Sequence, residues 1–329
     1  MRDHGGDLDR AMQEYGAGDW LDLSTGINPV PYPLPPLPDS VWAKLPTKTE
    51  TAGLERIAAT VYGTTAEVVA LAGAQAAIQL VPRLAGPGRA SIVGPTYNEH
   101  AAALRAQGWQ VTMIDDPADG AGADLVTVVS PNNPDGRVWT PQSLLELSKS
   151  VGLLIVDESF GDTDPAGSLC PHLGPEENGI VVLRSFGKFY GLAGLRLGFA
   201  VTGAELADRL RALAGPWAVN GPAIVTGSAA LADQSWQAAT RRRLTQDAER
   251  LDSLASKAGW RLVGGTPLFR TYDTGDANAA QTRLARGRIW SRVFPYSESW
   301  LRLGLPGSED GWARLERAMS GDQTLTRSR

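Results

Sequence analysis

The sequence has few of the features that mark secreted or membrane proteins. Cys170 is the only cysteine among 329 residues, which excludes an intrachain disulfide and fits a reducing compartment. No apolar run approaches the ~20 residues that a helix needs to span a bilayer. The first ten residues are polar and include three aspartates, so they lack the pattern of a signal peptide. These features predict a cytoplasmic protein without a membrane segment.

Scarce histidine and the absence of excess positive charge exclude further classes. The three histidines, His4, His100 and His172, have no metal-ligand spacing, so the sequence gives no support for a metal site. The formal net charge of -5 argues against a general nucleic-acid partner. The chain also has no Gly-x-Ser-x-Gly elbow and no nucleotide-binding glycine loop. Its length and its 43% hydrophobic content are those of a globular enzyme with one or two domains.

Residues 185–198 are the stretch around which the chain is organised. The apolar run at 180–183 predicts a buried strand, which places Lys188 on the loop that follows it. A lysine in such a loop can form a Schiff base with an aldehyde if burial or positive charge lowers its pKa. Arg196, eight residues later, can supply that charge and bind a phosphate; the alternative for Lys188 is a solvated surface lysine. Three glycines let the loop backbone approach a ligand: Gly187, Gly191 and Gly194.

Short apolar runs alternate with helical patterns along the first two thirds of the chain. The predicted strands are residues 90–93, 111–114, 125–129, 153–156, 180–183 and 197–201. Helices are predicted at 51–62 and 76–84, and two more end at 106 and 151. This order indicates an α/β fold with a mostly parallel central sheet whose faces are covered by helices.

The last third predicts a smaller α+β domain. It consists of a long helix at 223–258, ended by Gly259, then short strands at 261–263, 268–272, 288–293 and 300–303 and a helix at 311–319. Within the long helix, Arg241, Arg242 and Arg243 are expected on a solvated face. The predicted division is an N-terminal arm with part of the small domain at 1–45, a large cofactor-binding domain at 46–220, the small domain at 221–319 and a polar tail at 320–329.

The N-terminal segment has two possible roles. It contains His4-Gly5-Gly6, then Leu23-Ser24-Thr25-Gly26-Ile27-Asn28-Pro29, then a proline-rich crossing that is expected to be extended. The segment is either a linker or part of the lining of a pocket.

Polar residues follow the predicted strands. Tyr97, Asn133, Asp157 and Lys188 all come at carboxyl ends of strands, the edge where open α/β sheets bind ligands. A further signal is Gly73-Ala74-Gln75 at a helix start, where free N–H groups favour an anion.

An aromatic aldehyde phosphate would use this whole set. Lys188 would hold the aldehyde, Asp157 would pair with a protonated ring nitrogen, Asn133 would donate to the ring hydroxyl, and Tyr97 would stack on the ring. The phosphate would be bound by Gly73, Ala74, Gln75, Ser185 and Arg196.

The same residues resemble the fold type I, aspartate-aminotransferase-like, pyridoxal-phosphate (PLP) enzymes over about residues 20–319. The Asn-Pro-Asp-Gly sequence at 133–136, Asp157-Glu158, and Lys188 with Arg196 match motifs of that group. Arg302 resembles the arginine that holds the substrate α-carboxylate. The resemblance implies a PLP cofactor, a small-molecule substrate and a homodimer, with neither nucleic acid nor membrane as partner.

Within this group two branches are similar to the chain. The Gly-Leu-Ala-Gly-Leu-Arg sequence at 191–196 and the short length resemble the histidinol-phosphate aminotransferase branch. The N-terminal motifs resemble the branch that decarboxylates L-threonine O-3-phosphate to (R)-1-amino-2-propanol O-2-phosphate in cobalamin biosynthesis. Decarboxylation is the leading expectation. Histidinol-phosphate or another amino-acid aminotransferase is the alternative, and a non-catalytic member of the fold is a third.

The decarboxylase resemblance implies ligands for a substrate phosphate. Arg292 lies on a strand expected beside that of Arg302, and His4 and Asn28 come from the N-terminal motifs; all three can donate to a phosphate. Two positions depart from the family pattern. Phe160 stands where many relatives have a tyrosine, three residues after the aspartate, and residues 45–48 lack the tyrosine that crosses to the partner subunit.

Overall fold

A computed structural model of the chain describes residues 4–320. In this part the strands are β1 (Leu21–Asp22), β2 (Glu67–Leu71), β3 (Arg89–Val93), β4 (Gln110–Ile114), β5 (Leu125–Val129), β6 (Leu154–Asp157), β7 (Ile180–Ser185), β8 (Gly198–Thr202), β9 (Arg261–Thr266), β10 (Phe269–Asp273), β11 (Ile289–Trp290), β12 (Arg292–Phe294) and β13 (Ser297–Gly304). The α-helices are α1 (Leu8–Tyr15), α2 (Ser40–Ala43), α3 (Lys48–Tyr62), α4 (Ala74–Leu80), α5 (Asn98–Ala106), α6 (Pro141–Ser148), α7 (Phe186–Phe189), α8 (Ala204–Ala214), α9 (Gly221–Ala232), α10 (Gln234–Lys257), α11 (Ala277–Arg286) and α12 (Glu309–Ser320).

The chain divides into two compact units. The large unit comprises residues 31–133 and 137–238, and among the described residues the small unit comprises 4–30, 134–136 and 239–320. Residues 31–45 and 221–238 therefore belong to the large unit, whereas the sequence places them in the arm and the small domain. The reason is packing within that unit: Tyr32 N donates to Tyr190 O at 2.9 Å, and α9 packs on α3. The expected polar tail lies outside the described residues, except for Ser320, which ends α12.

A seven-stranded sheet in the order β2-β8-β7-β6-β5-β3-β4 forms the centre of the large unit. Strands β3 to β7 pair in parallel, whereas β8 is antiparallel to both of its neighbours. The central strands β5, β6 and β7 are buried along their whole length, as a sheet covered on both faces requires. The predicted α/β fold with a mostly parallel sheet is confirmed.

The predicted strand ends shift by one or two residues, and this shift changes the surroundings of two candidate residues. Strand β6 includes Asp157 as its last residue, and β7 extends through Ser185. Lys188 then lies in the short helix α7 rather than in a loop, so the loop prediction is wrong. The helix forms because Phe186 and Phe189 are both buried, one turn apart, which a helical backbone allows.

Aromatic stacking anchors the helix that carries Lys188. The Phe186 and Tyr190 rings stack with centroids 4.3 Å apart, and Tyr190 stacks in turn on Trp236 at 5.7 Å. Phe189 and Tyr32 contact the Trp236 ring edge-on, at 5.7 and 5.2 Å. Because such contacts are favourable and directional, they fix the backbone on both sides of Lys188.

The small unit has a four-stranded antiparallel sheet in the order β12-β13-β10-β9 and a parallel pair, β1 with β11. The strand predicted at 288–293 is in fact two strands, β11 and β12. Ile289 and Trp290 pair with Leu21 and Asp22, and after Ser291 the chain joins β13 instead. Helix α1 packs Ala11 against Ala285 and Trp290, which ties the N-terminal segment to this unit.

The single helix predicted at 223–258 is also two helices, α9 and α10, separated at Asp233. The Asp233 carboxylate accepts from Trp236 N at 2.9 Å and so caps the start of α10. Its backbone, at φ -85° and ψ 77°, is not helical. A side chain that competes for backbone donors therefore interrupts an otherwise continuous helical pattern.

Within residues 4–320, no helix combines the length and the apolar character that crossing a membrane requires. Nor does this part of the chain bring together three or more His, Cys, Asp or Glu side chains as ligands for a metal ion.

Candidate functional site

Asp157 is a buried carboxylate at the carboxyl end of β6. It is 2% exposed, and its Oδ1 accepts from Ser159 N at 2.9 Å and from Ser159 Oγ at 2.5 Å. Burial by itself would raise the pKa of Asp157, but the hydrogen bond and charge of His100, with the Ser159 bonds, outweigh it and hold the pKa below its ordinary value. The group is therefore an anion at neutral pH in a site that excludes water.

His100 is the partner of Asp157, a role that its place in the sequence does not predict. Its Nε2 lies 2.8 Å from Asp157 Oδ2, and both side chains are almost fully buried. Because an ionised carboxylate can only accept, this nitrogen carries the donated proton. The edge of the Tyr97 ring meets the imidazole, with centroids 6.2 Å apart. The sequence signal that could have identified His100 is its position one helical turn after Tyr97, an aromatic residue that follows a strand.

Three chain segments meet at Gly198 and form a small cradle. Gly198 pairs with both Leu71 and Ser185, which brings the start of α4 beside the end of β7. A Cβ at Gly198 would collide with Ala74 N and would lie 2.6 Å from the carbonyl carbon of Gly73. Only glycine permits this approach, so the cradle depends on Gly198 as well as on the Gly73-Ala74-Gln75 segment identified from the sequence.

The Arg196 guanidinium lies beside the same cradle. A Cβ on Gly73 would stand 2.8 Å from Arg196 Nη2, and Gly73 adopts a φ of +84° that favours glycine. Arg196 itself has a φ of 55°, in the left-handed region, and its Nη1 donates to Ala193 O at 3.0 Å. Its exposed guanidinium and the first N–H groups of α4 are therefore candidate donors to one anion.

Gln75 and Tyr97 are joined to each other. Tyr97 OH donates to Gln75 Oε1 at 3.3 Å, and Gln75 Nε2 donates to Glu99 Oε2 at 3.2 Å. The Gln75 side chain therefore orients the Tyr97 ring, and only its backbone N–H, in the first turn of α4, points to an anion-binding role.

Lys188, Phe160 and Asn133 complete the candidate residues of the large unit. Lys188 is half-buried, and its Nζ lies 5.8 Å from the centroid of the Phe160 ring. Asn133 is half-buried and follows Asn132. The Asn132 side-chain oxygen Oδ1 accepts from Thr96 Oγ1 at 2.6 Å, and its nitrogen Nδ2 donates to Pro95 O at 2.9 Å. Asn132 thus fixes the turn that follows β5.

These residues fit the cofactor that the sequence implies. Asp157 is a buried anion suited to a protonated ring nitrogen, and at Gly73 the absence of a Cβ leaves the Arg196 guanidinium next to the start of α4, where donors for a phosphate are needed. Lys188 follows the strand next to β6, because β6 and β7 pair in parallel. A phosphorylated aromatic aldehyde requires these features, and the large unit supplies all of them.

The small unit places two arginines side by side on one sheet face. Arg292 and Arg302 are directly opposite each other on β12 and β13, which confirms that their strands are neighbours. Arg302 is 5% exposed, and burial together with repulsion from Arg292 lowers its pKa to about 9. Arg302 remains a cation at neutral pH. A bound anion would offset both the burial of its charge and its repulsion from Arg292.

Ser24 connects the His4 segment to Arg302. Gly6 N donates to Ser24 Oγ at 2.7 Å, and Arg302 Nη2 donates to Ser24 O at 2.6 Å. A Cβ on Gly5 would collide with the same Ser24 carbonyl. The two residues that follow the exposed His4 therefore contact Ser24, whose carbonyl also accepts from Arg302, so the segment is packed on the small unit rather than being a free linker.

Asn28 lies on the same segment and is 2% exposed. Its Oδ1 accepts from Arg243 Nη2 at 2.6 Å and from Val30 N at 3.1 Å. Arg243 was expected on a solvated face of its helix, and this expectation is wrong. Its guanidinium reaches a buried amide far away in sequence, which helical periodicity cannot reveal.

Tyr296 was also missed. It is half-exposed in the turn between β12 and β13, where its ring stacks on Phe294 at 5.4 Å. Partial burial raises the pKa of Tyr296, and this effect exceeds the lowering caused by the charges of Arg292 and Arg302. The Tyr296 hydroxyl therefore stays neutral beside two cations.

Comparisons with known proteins identify the family and the relatives of this chain. Residues 45–315 match the family model described as aminotransferase class I and II. A threonine-phosphate decarboxylase from Pseudomonas aeruginosa is 43% identical over 330 residues, covering 98% of both chains. A threonine-phosphate decarboxylase from a Sinorhizobium species is 42% identical over 328 residues, covering 96% of this chain and 97% of the relative.

A similar fold is found in the crystal structure of histidinol-phosphate aminotransferase from Sinorhizobium meliloti in complex with pyridoxal-5'-phosphate. The TM-score is 0.84 at 19% identity, covering 95% of this chain and 93% of the other. At that identity the likeness concerns the fold alone.

Proposed function

This chain belongs to the aminotransferase class I and II family, and on that premise we propose that it decarboxylates L-threonine O-3-phosphate to (R)-1-amino-2-propanol O-2-phosphate. The enzyme is a PLP-dependent lyase. The product is the amine that cobalamin biosynthesis requires, which gives the enzyme its place in that pathway. The observation that carries the substrate assignment is the opposed pair Arg292 and Arg302, two cations on one sheet face. The relatives named threonine-phosphate decarboxylase support the same choice.

The large unit supplies the residues that would hold the cofactor. Lys188 would bind its aldehyde carbon, Asp157 would keep its ring nitrogen protonated, Asn133 would donate to its ring hydroxyl, and Tyr97 would stack on its ring. Its phosphate is bound by Gly73, Ala74, Gln75, Ser185 and Arg196. When bound, PLP would supply an electron sink for the bond that is broken at the substrate α-carbon.

The small unit supplies the residues that would orient the substrate. Arg302 binds the α-carboxylate, and Arg292, His4 and Asn28 bind the substrate phosphate. Holding both anionic groups of the substrate in fixed positions would determine which bond at its α-carbon is activated. The choice between losing CO2 and losing a proton is therefore set by the position of these charges rather than by a separate catalytic group. Arginine suits both tasks, because its planar fork can donate two parallel hydrogen bonds.

Replacing Arg292 by alanine tests the phosphate assignment. Charge-assisted hydrogen bonds to phosphate contribute about 1.5–3 kcal/mol each, so we expect KM for threonine phosphate to rise about 10- to 100-fold. The absorbance of bound cofactor should not change, because Arg292 is not among the residues proposed to hold the cofactor. Arg261→Ala, which removes an exposed arginine from the same sheet, is the matched control and should leave KM unchanged. An unaltered KM in Arg292→Ala would remove this residue from the site.

Replacing His100 by glutamine tests how Asp157 stays ionised. Glutamine keeps a neutral donor but loses the charge, so burial raises the pKa of Asp157 with less opposition and the carboxylate gains a proton at higher pH. We expect the acidic limb of the kcat profile to move up by about 1 pH unit or more. His172→Gln, at an exposed histidine, is the control. If the limb did not move, His100 would not govern the charge of Asp157.

We further propose a cytoplasmic homodimer. Three large apolar side chains of residues 31–45 are exposed, Leu34 at 63%, Trp42 at 68% and Leu45 at 64%, and a second copy of the chain would cover them. Sedimentation of the cofactor-loaded enzyme should give twice the mass of one chain, and Trp42→Arg should shift the equilibrium toward monomer. A fully active monomer at assay concentration would contradict the dimer.

A further inference from the structure

The orientation of the Asn28 amide is fixed by chemistry. Its oxygen faces Arg243 Nη2 at 2.6 Å and Val30 N at 3.1 Å, and both of these groups can only donate. Turning the amide over would set its NH2 group against two donors, so only one orientation is compatible with these neighbours. The two N–H bonds of Nδ2 consequently point away from Arg243.

Arg243 is itself held in place. Its Nη1 donates to Asp247 Oδ2 at 3.1 Å, one turn further along α10, and its side chain is only 30% exposed. The side chains of Asp247, Arg243 and Asn28 are therefore linked in that order by hydrogen bonds inside the small unit. A cationic donor on the amide oxygen also draws electron density from the nitrogen, which makes the Nδ2 hydrogens better donors to an anion.

We propose that Arg243 is a positioning residue for the substrate phosphate: it locks and polarises the Asn28 amide so that Nδ2 donates to a phosphate oxygen. This inference rests on the proposed function, in which Asn28 binds that phosphate. Arg243 does not touch the substrate. It acts through Asn28, and its effect is confined to phosphate affinity.

The chain offers a matched control for this role. Arg242 is the neighbouring residue on the same helix and is exposed. Arg243→Met and Arg242→Met remove the same charge and retain a similar aliphatic stem, so a general electrostatic effect would appear in both variants. An effect that passes through the amide would appear only in Arg243→Met.

The experiment measures three quantities on the PLP-loaded enzyme: KM and kcat for threonine phosphate, competitive inhibition by inorganic phosphate, and thermal unfolding. We expect Arg243→Met to weaken both phosphate-dependent constants about 10-fold while kcat changes little. Arg243→Lys, which keeps a cationic donor, should recover most of the loss, and Arg242→Met should match the wild type. In an Asn28→Ala background, Arg243→Met should have no further effect, because its path to the phosphate is gone.

Several results would overturn the proposal. One is an equal loss in Arg242→Met, and another is an undiminished effect of Arg243→Met in the Asn28→Ala background. If Arg243→Met fails to fold, phosphate inhibition is measured on Asn28→Asp. One oxygen of the new carboxylate can still accept from Arg243, but the other replaces the Nδ2 donor that would face the phosphate. We expect a folded, cofactor-loaded protein with lost phosphate inhibition, and normal inhibition would refute the role. A wild type that decarboxylates threonine phosphate while Arg243→Met equals it defeats this inference alone; a wild type with neither decarboxylation nor phosphate inhibition defeats the proposed function as well.

Discussion

Lys188→Ala should abolish covalent attachment of the cofactor and lower turnover by at least about 10²- to 10⁴-fold, the range lost when a positioned proton-transfer group is removed. In the proposed function the lysine binds the aldehyde carbon, and we further propose that its amine carries a proton at the α-carbon. The variant should fold, because α7 is anchored by the stacked rings of Phe186, Tyr190 and Trp236 rather than by the lysine. Borohydride reduction followed by mass spectrometry measures the attachment directly.

The control for this result is Lys149→Ala. Lys149 is an exposed surface lysine paired with Glu146, so its loss should leave both borohydride trapping and turnover unchanged. The Lys188 assignment fails if borohydride still fixes the cofactor to Lys188→Ala protein.

Asp157→Asn should lower kcat about 10²- to 10³-fold at saturating PLP, comparable to the loss of one preorganised electrostatic contact in a dry site. Asparagine has the same shape and can still accept from Ser159, but it carries no negative charge to keep the ring nitrogen protonated. Thermal unfolding should therefore change far less than turnover. The absorbance spectrum of the bound cofactor reports the change at the ring separately from the rate.

Asp164→Asn provides the comparison for this variant. Asp164 is an exposed aspartate a few residues after Asp157, and its neutral variant should behave as the wild type. Near-normal turnover of fully loaded Asp157→Asn would mean that another group protonates the ring.

The strand ends were predictable because a parallel sheet imposes a simple pattern. Buried strands such as β5 and β6 appear in the sequence as short apolar runs, and the polar residue that ends each run lies at the ligand-binding edge. This pattern located Asp157 at the end of β6 and Lys188 just after β7. It could not show that Lys188 lies in a helix, because α7 depends on contacts with Trp236, far away in the chain.

The side-chain network around the candidate residues was less accessible to sequence reasoning. His100 is a lone histidine with no periodic partner, and its partner Asp157 is 57 residues away. Arg243 belongs to a run of three arginines that has the composition of a solvated surface, yet it bonds Asn28 across 215 residues. Pairing between distant positions is set by the tertiary fold, and one sequence carries no local signal for it. Arg292 and Arg302 were an exception, because adjacent predicted strands brought them together.

The most direct test of the account is the fate of the substrate carboxylate. The PLP-loaded enzyme is given L-threonine O-3-phosphate labelled with ¹³C at the carboxylate, first without any keto acid and then with 2-oxoglutarate. The proposed function predicts labelled CO2 in equal amount to the substrate consumed, a phosphorylated amino alcohol as the other product, and no glutamate when 2-oxoglutarate is added. Consumption of histidinol phosphate with formation of glutamate, and no labelled CO2 from threonine phosphate, would contradict it and identify an aminotransferase.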